Sequence, residues 1–182
     1  MLEKIYLEKA TEEIVEKYEE GSEAVKVGEF EKAEDLLHEV IKKDPEFVPA
    51  YNKLGVIEFY RKNLAKAEEK LNKVNQIDDE FPPTITNLGS LAKEKGNKEK
   101  AKKMYEKAVK INPEYGPAHN NLGVVYREDN NYGKAVKHLK KARKLGSYAV
   151  KIKDTPLYKS PGCLVPLGLV IVFGLLFYLW LT

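Results

Sequence analysis

The chain is 182 residues long with a formal net charge of +3, enough for one domain or a short array of repeats. That near-neutrality conceals a division: residues 134–182 hold nine Lys or Arg against one acid, Asp154, which leaves −5 for residues 1–133. The lone cysteine, Cys163, excludes an intrachain disulfide and a Cys-based zinc site, and a basic stretch beside an apolar one points to a membrane surface before nucleic acid.

The opening MLEKIYLEKATEE has acids throughout and no uncharged run, so no secretory leader is expected. Leu2, Ile5, Tyr6 and Ala10 recur at helical spacing and predict a capping helix within residues 1–13, with Thr11 opening the next helix. From Ile14 the chain repeats every 34 residues, in rows 14–47, 48–81, 82–115 and 116–149. Gly21, Gly55, Gly89 and Gly123 fill one column, and Ala33, Ala67, Ala101 and Ala135 another. Between them lies a turn-forming or polar break at Gly28, Lys62, Gly96 and Asn130, so each row reads as helix, turn, helix. Glycine inside a helix costs about 1 kcal/mol relative to alanine. Four in register therefore imply that paired backbones approach too closely for a side chain. Leu37, Leu71, Tyr105 and Leu139, then Val40, Val74, Ala108 and Ala142, supply the apolar face of the second helix. Pro45, Asp79 and Pro113 are expected to end the first three rows.

These columns resemble the tetratricopeptide repeat, most fully in AHNNLGVVYREDNNYGKAVKHLKKA from Ala118 and again in NLGSLAKEKGNKEKAKKMYEKAVKINP from Asn87. Glu20, Glu58 and Ser147 depart from the pattern, where the family has Leu, Tyr and Pro. The resemblance implies an all-α fold, a TPR-like α-solenoid of about four helix-turn-helix repeats, whose concave groove takes protein or extended peptide partners. The groove is expected to be lined by the first helix of each row: Asn52, Val56, Phe59 and Tyr60; then Thr86, Asn87, Ser90 and Lys93; then Asn120, Asn121, Val124 and Arg127. Asparagine amides suit an extended backbone, since they both donate and accept, and Phe59 with Tyr60 suits an apolar side chain. Some relatives grip the C-terminal carboxylate of chaperones with Lys, Asn and Arg. Counted from the first row the matching positions carry Tyr18, Ser22, Lys53, Pro83 and Asn87, and none fits. Counted from the second they carry Asn52, Val56, Asn87, Pro117 and Asn121, of which only Asn87 fits, so that role is disfavoured.

Residues 150–162 form a basic, proline-containing linker, and residues 160–182 carry no charge. The twenty residues from Cys163 to Thr182 would span about 30 Å as a helix, the thickness of a bilayer's hydrocarbon core. Their thirteen Leu, Ile, Val or Phe predict an insertion free energy of roughly −4 to −8 kcal/mol. A single C-terminal transmembrane helix at 163–182 is therefore expected, as in a tail-anchored protein. Arg143, Lys144, Lys151, Lys153 and Lys159 precede it, which places the amino-terminal body on the cytoplasmic side and the carboxyl terminus on the far side.

The resulting expectation is a membrane-anchored scaffold that recruits partners through its groove. The alternative is an accessory subunit of a larger integral membrane complex, with Gly168 and Gly174 facing other spans. No nucleophile–base pair and no phosphate-cradling loop occurs, and His38, His119 and His138 lie at no metal-ligand spacing. Neither enzymatic activity nor a cofactor or metal is expected, and no nucleic-acid partner.

Overall fold

The computed structural model describes residues 2–147. The predicted membrane span at 163–182, the linker at 150–162 and the end of the fourth row lie outside the described residues. Within them the chain forms nine helices and no strand: α1 (Leu2–Lys9), α2 (Glu12–Val27), α3 (Phe30–Lys43), α4 (Val48–Tyr60), α5 (Leu64–Ile77), α6 (Pro82–Glu94), α7 (Lys98–Ile111), α8 (Gly116–Glu128) and α9 (Tyr132–Lys144). The four expected rows are the antiparallel pairs α2/α3, α4/α5, α6/α7 and α8/α9. Among the described residues no helix is long and apolar enough to cross a membrane.

The glycine column does what its register implied. A Cβ on Gly55 would lie 2.7 Å from Leu71, on Gly89 2.6 Å from Tyr105 and on Gly123 2.7 Å from Leu139, so each glycine admits the large residue of its partner helix. Gly21 is looser, 3.3 Å from Leu37. Ala33, Ala67 and Ala101 are fully buried beside these contacts, and Ala135 nearly so.

Two different turns separate the helices, and each has its own cause. Inside every pair the break residue is left-handed: Gly28, Lys62, Gly96 and Asn130 have φ of 86°, 64°, 80° and 58°. The next residue's N–H then reaches back to the helix it has left, Glu29 to Ala24, Asn63 to Glu58, Asn97 to Ala92 and Asn131 to Tyr126, at 2.8–2.9 Å. This satisfies the carbonyls that a helix end strands. Between pairs the chain is extended at Asp44, Asp78 and Asn112, whose Oδ1 accepts the N–H of Glu46, Glu80 and Glu114 at 2.9–3.0 Å. In all three rows the helix thus stops one residue before the expected Pro45, Asp79 or Pro113. The fourth row has Gly146 in that column, with φ 71°, and Ser147 N–H returns to Ala142. α9 therefore ends as an inner turn does, without the extended step that introduces a further pair.

The amino-terminal cap is present and more deeply engaged than amphipathic spacing alone required. Tyr6 sets its ring edge-on against Phe47 and Phe81, at 6.3 and 5.8 Å, and donates to Asp78 Oδ2 at 2.8 Å. With Leu7 and Ala10 it closes the cluster built on Ile14, Tyr18 and Phe47. Burial and the Asp78 carboxylate both push the Tyr6 phenol well above its ordinary value.

Candidate functional site

The first helices of the pairs touch one another in succession, α2 to α4, α4 to α6 and α6 to α8, more closely than the second helices do. They consequently form the inner wall of a curved stack. Ten of the twelve residues expected on that wall, Val56, Phe59, Tyr60, Asn87, Ser90, Lys93, Asn120, Asn121, Val124 and Arg127, are half-buried or exposed. The other two, Asn52 and Thr86, are buried at 6% and 3% exposure, so they form the floor and are not free to meet a ligand. Thr86 Oγ1 has no hydrogen-bond partner among the described residues.

The asparagines connect successive repeats. Asn52 Oδ1 accepts from Thr84 Oγ1 and from Asn87 Nδ2, both at 2.9 Å, which ties α4 to α6. Asn121 Nδ2 donates to Ser90 Oγ at 3.3 Å and ties α8 to α6. Ser90 donates to the Thr86 carbonyl at 3.2 Å and accepts the Tyr105 hydroxyl at 3.2 Å. Asn87 and Asn121 each commit an NH₂ to this ladder, and their carbonyl oxygens stand on the half-buried wall with acceptor capacity.

Five of the expected residues converge. Val56, Phe59, Tyr60, Asn87 and Ser90, with Gly55 and Leu71 at the base, line a cleft of about 160 Å³ between α4 and α6. Gly55 is needed here twice, to admit Leu71 and to leave the cleft its depth. Tyr60 stacks on Phe30 of the preceding repeat at 5.9 Å, with the Arg61 guanidinium over the same Phe30 ring. Arg61 also joins Glu31 and Glu34 and supplies the counter-charge of Glu58, the acid standing where the pattern has Tyr. Lys93 pairs with Glu128 of α8 at 2.6 Å, so this one of the wall's two cations is partly neutralised. Asn120, Val124 and Arg127 lie one repeat further along and are not brought into the cleft.

Sequence reasoning missed a second feature, on the α8/α9 pair. His119 Nδ1 and His138 Nδ1 are 2.9 Å apart, and His119 Nε2 is 3.0 Å from the Pro113 carbonyl. A carbonyl only accepts, so His119 Nε2 carries its proton, leaving Nδ1 to accept from His138 Nδ1–H. Burial, with His119 and Lys137 nearby, holds the His138 imidazole below its ordinary value. His138 also stacks on Tyr126, whose phenol is pushed up to about 12 by burial and by its bond to Glu106. The pair is visible once the columns are aligned: it replaces Ile85 and Met104, which share an apolar cluster one repeat earlier. Among the described residues no cluster of His, Cys, Asp or Glu could hold a metal ion.

Helix pairs stacked in register, with an amide-laddered inner wall, define an α-solenoid of helix-turn-helix repeats. Tetratricopeptide repeat profiles match residues 18–80, 82–115 and 104–137, and the chain is a repeat protein carrying tetratricopeptide repeats. Its fold is similar to that of MamA, with a TM-score of 0.56 at 23% identity over 73% of this chain and 78% of that one. The MamA fragment from Desulfovibrio magneticus RS-1 gives 0.54 at 22% identity over 71% and 73%. PilF of Pseudomonas aeruginosa gives 0.63 at 22% identity over 74% of this chain, which spans 61% of that structure. At these identities the likeness is one of fold. No curated protein matches the sequence.

Proposed function

We propose that the protein is a membrane-tethered interaction scaffold, acting by binding rather than catalysis, whose concave wall holds an extended segment of a partner protein. The cleft between α4 and α6 carries this reading: an apolar pocket of about 160 Å³ under Phe59 and Tyr60, flanked by Asn87 and Ser90. Such an arrangement takes one apolar side chain while the asparagine carbonyls accept backbone N–H groups on either side. Residues 163–182 supply the tether as a bilayer span, and the cations before them keep the solenoid on the cytoplasmic face.

A photo-crosslinking amino acid tests the groove when placed at Val56 or Ser90 on the wall, and at Lys66 on the exposed side of α5, in full-length protein held in its membrane. Adducts with a common partner are expected from Val56 and Ser90 and not from Lys66, and Phe59→Ala is expected to deplete them. Equal adducts from all three positions would show that the groove is not the binding site. Alkaline extraction of the membranes tests the tether separately. The chain is expected to stay with the bilayer, and its release would remove the span.

A further inference from the structure

We propose that α9 is the face by which the solenoid rests on an anionic lipid bilayer, an inference built on the reading of residues 163–182 as a span. α9 carries six cations, Lys134, Lys137, Lys140, Lys141, Arg143 and Lys144, and no acid within Tyr132–Lys144. The other second helices mix signs: α3 has Glu31, Glu34, Asp35 and Glu39, α5 has Glu68 and Glu69, and α7 has Glu99 and Glu106. Two of the six cations on α9 are committed, Lys141 to Glu114 and Lys134 to the Tyr126 ring at 5.2 Å. Lys137, Lys140 and Lys144 recur at helical spacing on one face, and with His119 and His138 they line an open cleft of about 450 Å³. Methylene stems wall it and ammonium groups rim it.

Beside these cations lies exposed apolar surface. Tyr132 and Val136, one turn apart on α9, are 62% and 50% exposed. One repeat earlier the corresponding positions hold Lys98 and Lys102, which pair with Asp129 at the end of α8 at 2.5 and 3.1 Å. α9 has no such neighbour among the described residues, so its apolar stripe and its lysines share one outward surface. A soluble anion would account for the lysines and leave the apolar stripe unexplained. Protein interfaces are depleted in lysine. Cations flanking an apolar stripe fit the headgroup region of a bilayer, where each cation is attracted and the stripe enters the acyl boundary. That attraction fades within about 10 Å at ordinary salt, so the face must be held close to the surface. α9 ends at Lys144, the described residues end at Ser147, and the sequence continues through Lys151, Lys153 and Lys159 to the uncharged run at 160–182.

The test uses the full-length chain in nanodiscs of phosphatidylcholine alone or mixed three to one with phosphatidylserine, reading lysine acetylation rates by mass spectrometry. Lys140 and Lys144 are expected to react several-fold more slowly in the anionic discs, to recover in high salt, and to lose protection in the Tyr132→Asp/Val136→Asp variant. Exposed Lys66 on α5 is expected to be unchanged throughout and reports that the fold is intact. If the chain enters both discs and Lys140 and Lys144 react equally in each, the α9 proposal is overturned while the span reading stands. If the chain binds only the anionic discs, reversibly with salt and through these lysines, the span reading fails and the α9 proposal stands. Binding to neither overturns both. Equal protection by inorganic phosphate in phosphatidylcholine discs would assign the cleft to a soluble anion and overturn the lipid assignment.

Discussion

Gly89 and Gly21 occupy one column and face opposite outcomes on gaining a methyl group. At Gly89 the new Cβ would stand 2.6 Å from the Tyr105 ring, which is fully buried and has no room to withdraw. Gly89→Ala is expected to cost about 1–3 kcal/mol through overpacking, read as a lower urea midpoint at unchanged slope. At Gly21 the nearest atom is Leu37 Cγ at 3.3 Å, and alanine regains up to about 1 kcal/mol of helix propensity. Gly21→Ala is accordingly expected to be neutral or slightly stabilising, and an equal loss at both sites would show that the column is not graded by packing. The column itself was legible in the sequence because side-chain size is written in the residue type. The burial of Asn52 and Thr86 was not, because depth on the inner wall depends on how successive repeats tilt, which no single row encodes. The histidine pair was hidden for a related reason: nineteen residues separate its members, and only column alignment shows that the two positions face each other.

Lys62 and Asn130 hold, in their turns, the left-handed conformation that Gly28 and Gly96 hold in the other two. A side chain in that region costs roughly 1–2 kcal/mol, and glycine escapes most of it while adding unfolded-state entropy. Lys62→Gly is expected to raise stability by about 0.5–1 kcal/mol, even though the exposed contact with Glu94 is lost, as a denaturant titration would read. The sequence marked these positions as breaks without distinguishing the two kinds of turn, since the Asp44, Asp78 and Asn112 column acts through a side-chain bond and not through flexibility. The pair α8/α9 adds a pH dependence. His138 lies below its ordinary value of 6.5, so beneath that pH the unfolded chain binds more protons than the native one and stability rises with pH across the window. Lowering the pH from about 7.5 to about 5.5 is expected to lower the urea midpoint in the wild type, and His138→Phe, which keeps a ring against Tyr126, to flatten the profile. An unchanged slope in His138→Phe would assign the dependence to other groups.

In the whole molecule, each second helix except the last is held from two sides, by its own first helix and by the first helix of the next pair. α9 is held within the described residues chiefly by α8, whereas the opposite end is closed by α1 through Tyr6, Phe47 and Phe81. The repeat period pointed to the stack, and the spacing of Leu2, Ile5, Tyr6 and Ala10 to a helix ahead of it, but neither indicated that Tyr6 would bond across to Asp78 in the second repeat. Stability in such an array is close to a sum of repeat and nearest-neighbour terms, so opening begins at the less covered end. Amide exchange in the full-length chain, held in a zwitterionic detergent, is expected to be slowest in α5 and α7, and at least tenfold faster in α9, the separation that each 1.4 kcal/mol of opening free energy produces. Tyr6→Ala is expected to speed exchange in α2, α3 and α4 and leave α7 to α9 unchanged, because the lost contacts reach no further than Phe81. Protection of α9 equal to that of α5 would mean that its outer face is already covered without lipid, and a uniform response to Tyr6→Ala would mean that the four pairs unfold as one unit.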